Sequence, residues 1–337
     1  MNRTTTLEPT QASGKNGESA MLGSPGNPLA LRKSCILWIA AIAFLMLLGC
    51  GLIFALMSNL SGGPQEASVA LIHIEGAILP GKGGNSNPLT GSGGAYSTTI
   101  VDQLKQAAED ELVKAVVLVV DSPGGSVYAS DEIARQVAAM EKPVLSAMGS
   151  MAASGGYFVS APADEIWASP HTLTCSIGVI IELLNYDKLA ADYGVEAVVY
   201  KSGANKDMGN PFRQATPEEE QIWQAMIDEA YDAFVTVVAS GRDLAEERVR
   251  EIADGRVCTG QQALALKLVD KLGYLPDVIK RAGELGGIEG DPPTIEYQQQ
   301  PGLWDLLTSA VTHRTLGEEI QQLIDSRAGA TLMYLYR

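Results

Sequence analysis

From Cys35 to Met57 the chain reads CILWIAAIAFLMLLGCGLIFALM, twenty-three residues without one charge. As a helix at 1.5 Å per residue the run spans roughly 35 Å, enough to cross a hydrocarbon core of about 30 Å. The run therefore predicts a transmembrane helix over 35–57, in contact with membrane lipid. A cleaved signal peptide fits less well, because its apolar stretch should be about 7–15 residues and end at a small-residue cleavage site. LLGC at 47–50 resembles a lipoprotein cleavage box only faintly, since the apolar run continues past Cys50. Arg32 and Lys33 stand directly before the run, and no basic residue lies between 58 and 68. The positive-inside rule then puts residues 1–34 in the cytoplasm and everything beyond Met57 outside the cell membrane. Residues 1–34, rich in Ser, Thr, Gly, Asn and Pro, lack an apolar period and read as a disordered tail, and 58–67 reads as a linker.

The remainder is long enough for a large core. A hydrophobic content of 46% with 35 glycines fits an α/β domain, and a net charge of −16 argues against nucleic acid as a partner. The segment SVALIHIEGAI (68–78) is β-branched and nearly continuous in apolar residues, as buried strands are. His73 within it reads as a satisfied structural position. A loop over 79–97 and a helix over 98–110 follow. AVVLVV (115–120), PVLSAM (143–148), ADEIWAS (163–169), IGVII (177–181) and EAVVYK (196–201) read as further short strands, with a helix over 127–141 among them. Strands separated by helices imply α/β layers with a parallel component. Helices are also expected at 217–239, where Pro217 and three glutamates suit an N-terminal turn, and at 244–253, 259–267, 275–287 and 318–326. Residues 288–302 read as a connector. Only Cys175 and Cys258 fall in the outer part, and sequence alone leaves open whether they pair.

Three stretches carry candidate chemistry. DSPGGS (121–126) runs from a buried strand into two glycines and a helix; it is either a tight turn or a set of backbone N–H groups aimed at a negative oxygen. SMAASGGY (150–157) places Ser154 among residues so small that a substrate backbone can approach it, with the N–H of Gly155 beside it. A serine hydroxyl is a weak nucleophile without a base. His73, His171 and His313 lie in no recognisable turn, and AASGG lacks the first glycine of the nucleophile elbow. YKSGANKDMGNPF (200–212) offers Lys201 and Lys206 instead. A lysine can act as base once burial lowers its pKa from about 10.4 towards 7–8; a solvated surface lysine cannot.

The order strand, DSPGG, helix, strand, SMAASGGY, TCSIGVI, YKSGANKD behind one apolar span resembles the signal peptide peptidase SppA family, in its short, single-unit form. The resemblance covers residues 68 to about 285. It implies a ClpP/crotonase-like superhelix of ββα units preceded by one transmembrane helix, with the peptidase domain over 68–290 and an extension over 291–337. It further implies a serine endopeptidase with Ser154 as nucleophile, Lys206 as general base, Gly124, Gly125 and Gly155 as oxyanion donors, and Ser176 as a residue that could orient the lysine. Implied partners are apolar peptides such as signal-peptide remnants, misfolded membrane or exported proteins, and further copies of the chain in a ring whose neighbours share the dyad. No metal or organic cofactor is implied. Cys175 stands where the family pattern TGSIGV carries glycine. Two other classes share the fold, a catalytically silent membrane scaffold and a crotonase-type acyl-CoA enzyme; neither would need Ser154 or Lys206. The closing TLMYLYR (331–337) has the character of a peptide that such a groove binds, or of a packing strand.

Overall fold

A computed structural model describes residues 44–49, 66–83, 94–297 and 333–335. The chain divides into two compact units, Met1–Gly62 and Gly63–Arg337. In the first, residues 44–49 are helical and Phe44–Leu48 are exposed. Among the described residues no helix is long and apolar enough to cross a membrane, and most of the run 35–57 lies outside them.

The second unit is built on a parallel sheet. Its strands are β1 (Ser68–Glu75), β2 (Ile78–Leu79), β3 (Ala95–Tyr96), β4 (Val113–Ser122), β5 (Gly124–Ser126), β6 (Val144–Ala153), β7 (Glu165–Ala168), β8 (Leu173–Cys175), β9 (Val257–Thr259), β10 (Lys271–Leu272), β11 (Thr294–Glu296) and β12 (Met333–Leu335). The main sheet runs β10-β7-β6-β4-β1-β11, all parallel, with β8 added beside the far end of β6 and β9 antiparallel to β8. A second small sheet runs β12-β5-β2-β3.

Side-chain alternation explains why the central strands are apolar almost throughout. Val69, Leu71, Ala115, Val117, Leu145 and Ala147 face the helix Leu275–Leu285 through Val278 and Ala282. Ala70, Ile72, Ile74, Val116, Leu118, Val120, Val144 and Met148 face the larger core, which includes helices Ser97–Glu109, Val127–Ala138, Gly155–Ser160 and Pro217–Arg242. A parallel sheet covered on both faces needs apolar residues at both parities.

Two successive units are alike: β1 and β2, followed after the short β3 by the helix Ser97–Glu109, then β4, β5 and the helix Val127–Ala138. In each, the long strand gives way to a short one in the second sheet. The first break is Gly76, at φ 73°, whose carbonyl accepts from Ser122 Oγ at 2.6 Å. Thus 68–78 is two strands and not one.

Other expectations shift. The stretch 143–148 grows into the ten-residue β6 because Asp121 Oδ1 accepts from Met151 N at 3.0 Å and from Ser150 Oγ at 2.8 Å, extending the sheet towards Ser154. Residues 196–201 form no strand and are exposed, and of 177–181 only Ile180 makes a β-bridge. The connector contains β11, parallel to β1, and the expected helix 318–326 lies outside the described residues. His73 is partly exposed and lies within reach of Glu75 and Glu296.

Candidate active site

Ser154 directly follows β6 and precedes the helix Gly155–Ser160 at φ 54°, ψ −116°. A side-chain-bearing residue there costs on the order of 1–3 kcal/mol, and such residues collect at functional sites. Two backbone hydrogen bonds hold it: Ser154 N donates to Cys175 O, and Phe158 N donates to Ser154 O, both at 2.8 Å. The residue is 1% exposed and its Oγ has no hydrogen-bond partner among the described residues. Ser68, Ser97 and Ser130 also carry buried, unpartnered hydroxyls among the described residues, so what sets Ser154 apart is the strained turn together with the glycines around it.

The glycines close around this turn. A Cβ on Gly124, itself at φ 98°, would lie 2.1 Å from Tyr334 O and 2.6 Å from Gly155 N. A Cβ on Gly155 would meet Gly124 Cα and Gly125 N, each at 3.0 Å. The three expected donors Gly124, Gly125 and Gly155 are therefore brought together, and side chains on Gly124 or Gly155 would intrude on that cluster. Ser122, which the sequence reading passed over, sets the approach: its Oγ accepts from Gly124 N at 3.0 Å. The signal lay in the serine before Pro-Gly-Gly, a residue type that readily hydrogen-bonds backbone two residues on.

An extended segment lies across these glycines. β12 pairs antiparallel with β5, with Tyr334 opposite Gly125 and Leu335 opposite Gly124. On its other edge Ile180 N donates to Met333 O at 3.1 Å and Met333 N to Ile180 O at 3.2 Å. Tyr334 is fully buried, with its ring 4.8 Å from Phe158 and 4.6 Å from Phe234, and its hydroxyl donates to Ala230 O at 2.8 Å. Burial pushes that phenol well above its ordinary range. A cavity of about 550 Å³ adjoins it, lined by Ser126, Tyr128, Phe158, Met226 and Ala230 among others.

Lys206 is exposed, on the arm between β8 and the helix Pro217–Arg242, and its Nζ makes no hydrogen bond or ion pair among the described residues. Since Ser154 Oγ has no partner, the two groups are not joined within one chain. Lys201 is committed elsewhere, donating to Asp207 Oδ1 at 2.7 Å and Ala204 O at 2.8 Å. Asp207 also accepts from Arg213, whose guanidinium, with Lys201, holds that carboxyl well below the usual range. Asp207 thus turns to Lys201 and Arg213. His171 is exposed. Ser176 is buried at φ 53°, next to Cys175, and its N–H donates to Arg256 O at 2.9 Å. Cys175 and Cys258 form a disulfide, which sequence alone had left open.

An α/β domain that ends a sheet strand on a strained, buried serine beside glycine N–H groups has the build of a serine hydrolase. The chain belongs to peptidase family S49, whose model matches residues 136–289, and this places it among the serine proteases. A Clp protease model matches 92–174, in keeping with a ClpP-like α/β fold. A protein of Enterococcus faecium named signal peptide peptidase SppA is 47% identical over 52% of this chain and 52% of its own length. A protease of Synechocystis is 38% identical over 63% of this chain and 78% of its own, and Protease 4 of Salmonella typhi is 36% identical over 76% and 41%. The chain thus spans about half the length of the Enterococcus relative. Among solved structures, a ClpP1 mutant from Listeria monocytogenes matches at 15% identity with a TM-score of 0.40, over 62% of this chain and 94% of that one.

Proposed function

We propose that this protein is a membrane-anchored serine endopeptidase that hydrolyses apolar peptides, signal-peptide remnants among them, with Ser154 as nucleophile and Lys206 as general base. The observation that carries the reading is the buried, unpartnered Ser154 Oγ in a strained turn against Gly124, Gly125 and Gly155. Extended peptide would add to β5 as β12 does, its main chain held by the glycine strand and by Ile180. Backbone pairing with an exposed strand edge is a common way of presenting a peptide to a site.

In the reaction the neutral amine takes the Ser154 hydroxyl proton as Oγ attacks the scissile carbonyl. The resulting oxyanion is held by N–H groups at Gly155 and at Gly124 or Gly125, the Gly124 N–H having first to leave Ser122 Oγ. Collapse expels the amine product, which receives the proton from the lysine, and leaves an acyl-enzyme. Water, deprotonated by the same lysine, then releases the acid product and restores the serine.

The base would come from a second copy. Lys206 sits on an arm whose Leu184, Tyr193, Val198 and Tyr200 are all exposed, and a ring of copies would cover that apolar surface while drying the amine. Ser176 is the neighbour that would orient it. The span 35–57 would anchor the ring, with 1–34 cytoplasmic and the peptidase domain outside, and tethering raises the enzyme's effective concentration near membrane-bound peptides.

Peptide hydrolysis by the full chain, compared with Ser154→Ala and Lys206→Ala, tests the assignment. Both substitutions should lower turnover by at least about a thousandfold. Retained hydrolysis in both would reject the dyad, whereas no hydrolysis by the wild-type chain would leave a scaffold or acyl-CoA role.

A further inference from the structure

We infer that the Cys175–Cys258 disulfide is a positioning device for the nucleophile, so that the rate of Ser154 acylation depends on its integrity. The inference rests on Ser154 being the nucleophile.

The argument begins with what holds Ser154 in its turn. Its N–H has one acceptor, Cys175 O at 2.8 Å, at the last residue of β8. Beyond that residue the backbone is unusual: Cys175 and Ser176 follow one another at φ 65° and 53°. Two consecutive side-chain-bearing residues in the left-handed region are disfavoured, and glycine is the residue that adopts it freely. The carbonyl that receives the Ser154 N–H is therefore aimed by a conformation that its own residues resist.

Among the described residues few other contacts hold that conformation, one of them the bond from Thr174 Oγ1 to Ala152 O at 2.7 Å. β8 has three residues, paired with Met151–Ala153 on one side and with the three-residue β9 on the other. Around the turn the remaining backbone bonds are Ser176 N to Arg256 O and Gly255 N to Ile177 O. Across this short ribbon runs the disulfide, between residues 83 apart in sequence, with both cysteines buried. The covalent link joins the left-handed residue to the neighbouring strand. Once it is broken, Cys175 can relax to negative φ, its carbonyl turns, and the Ser154 turn loses its acceptor.

A purely stabilising disulfide would change the melting temperature and leave the chemistry alone. The positioning role makes three further statements. In Cys175→Ser/Cys258→Ser, acylation by a fluorophosphonate slows about tenfold or more, with kcat for peptide falling while KM stays near its original value. In Cys175→Gly/Cys258→Ser, acylation recovers to within about threefold of wild type although the melting temperature stays low, because glycine takes the left-handed turn without a staple. Reduction of wild type with a water-soluble phosphine slows acylation as the Ser/Ser variant does. In that step the S–S bond breaks to two thiols while the phosphine is oxidised to its oxide with oxygen from water. The glycine variant does not respond.

The experiment is a time course of fluorophosphonate adduct mass on the full chain, oxidised and reduced, for wild type and both double variants, with folding followed by circular dichroism at the assay temperature. Wild-type speed in a folded Ser/Ser variant, or in reduced folded wild type, overturns the inference while leaving Ser154 as the nucleophile. So does a glycine variant no faster than the serine one. Absence of an adduct on oxidised wild type, or an adduct that survives Ser154→Ala, refutes the nucleophile assignment itself. If reduction or the Ser/Ser change unfolds the chain, the comparison of the glycine variant with oxidised wild type decides, since wild-type-like acylation is then required.

Discussion

At residue scale the site is set by which positions can bear no side chain. Gly124 lies against Tyr334 O and Gly155 N, at a φ that side chains resist. Gly124→Ala should therefore both push β12 away and disturb the N–H groups proposed to face the oxyanion. We expect kcat to fall on the order of a hundredfold, the scale for one lost oxyanion donor. Steady-state kinetics on a folded variant will check this, and an unchanged kcat would remove Gly124 from the site. The small residues flanking Ser154 were legible in sequence as an approach path. The torsion at Ser154 was not, since it depends on Cys175 O, a carbonyl that only the β6–β8 pairing brings alongside.

At the scale of elements, the apolar strands β1, β4 and β6 were readable because burial on both faces leaves a nearly continuous apolar run. The same signal misled at 196–201, where Val198, Val199 and Tyr200 are apolar yet exposed. Among the described residues nothing covers them, and an apolar run cannot say whether it is buried within the chain or against another copy. The arm is instead tied at its base by charge. Glu219, buried at the third position of the helix Pro217–Arg242, accepts from Arg213 and from Thr216 N at 2.9 Å. Those bonds, Arg213 first, lower its pKa from 4.5 to about 2. A depressed folded-state pKa means the contribution is present above about pH 4.5 and lost as pH falls towards 2. Protection against hydrogen exchange across 201–220, relative to the intrinsic rate at each pH, should thus fall within that window. Glu219→Gln should lose protection already at neutral pH and keep only the smaller acid step that Asp207 contributes through Lys201 and Arg213. No acid step in wild type would contradict this role.

β12 belongs to the same scale. Its place on β5 is that of an extended peptide, and a tethered occupant competes at roughly millimolar effective concentration. Deleting 331–337 should lower KM for added peptide several-fold with kcat little changed, and also lower the melting temperature because Phe158 and Phe234 lose the Tyr334 ring. Unchanged kinetics and stability would reduce this strand to a passive cover.

For the whole molecule, the serine and the lysine belong to different surroundings. Ser154 is buried at the end of a sheet strand, and Lys206 stands on an exposed arm with its amine unpaired among the described residues. The central claim is that a neighbouring copy joins them. Mixing Ser154→Ala chains with Lys206→Ala chains, each inactive alone, and letting them co-assemble tests this directly. Random assembly places an intact serine beside an intact lysine at roughly a quarter of sites in a ring of like interfaces. The account predicts peptide hydrolysis near that fraction of wild type. A co-assembled mixture as inactive as its components would contradict it.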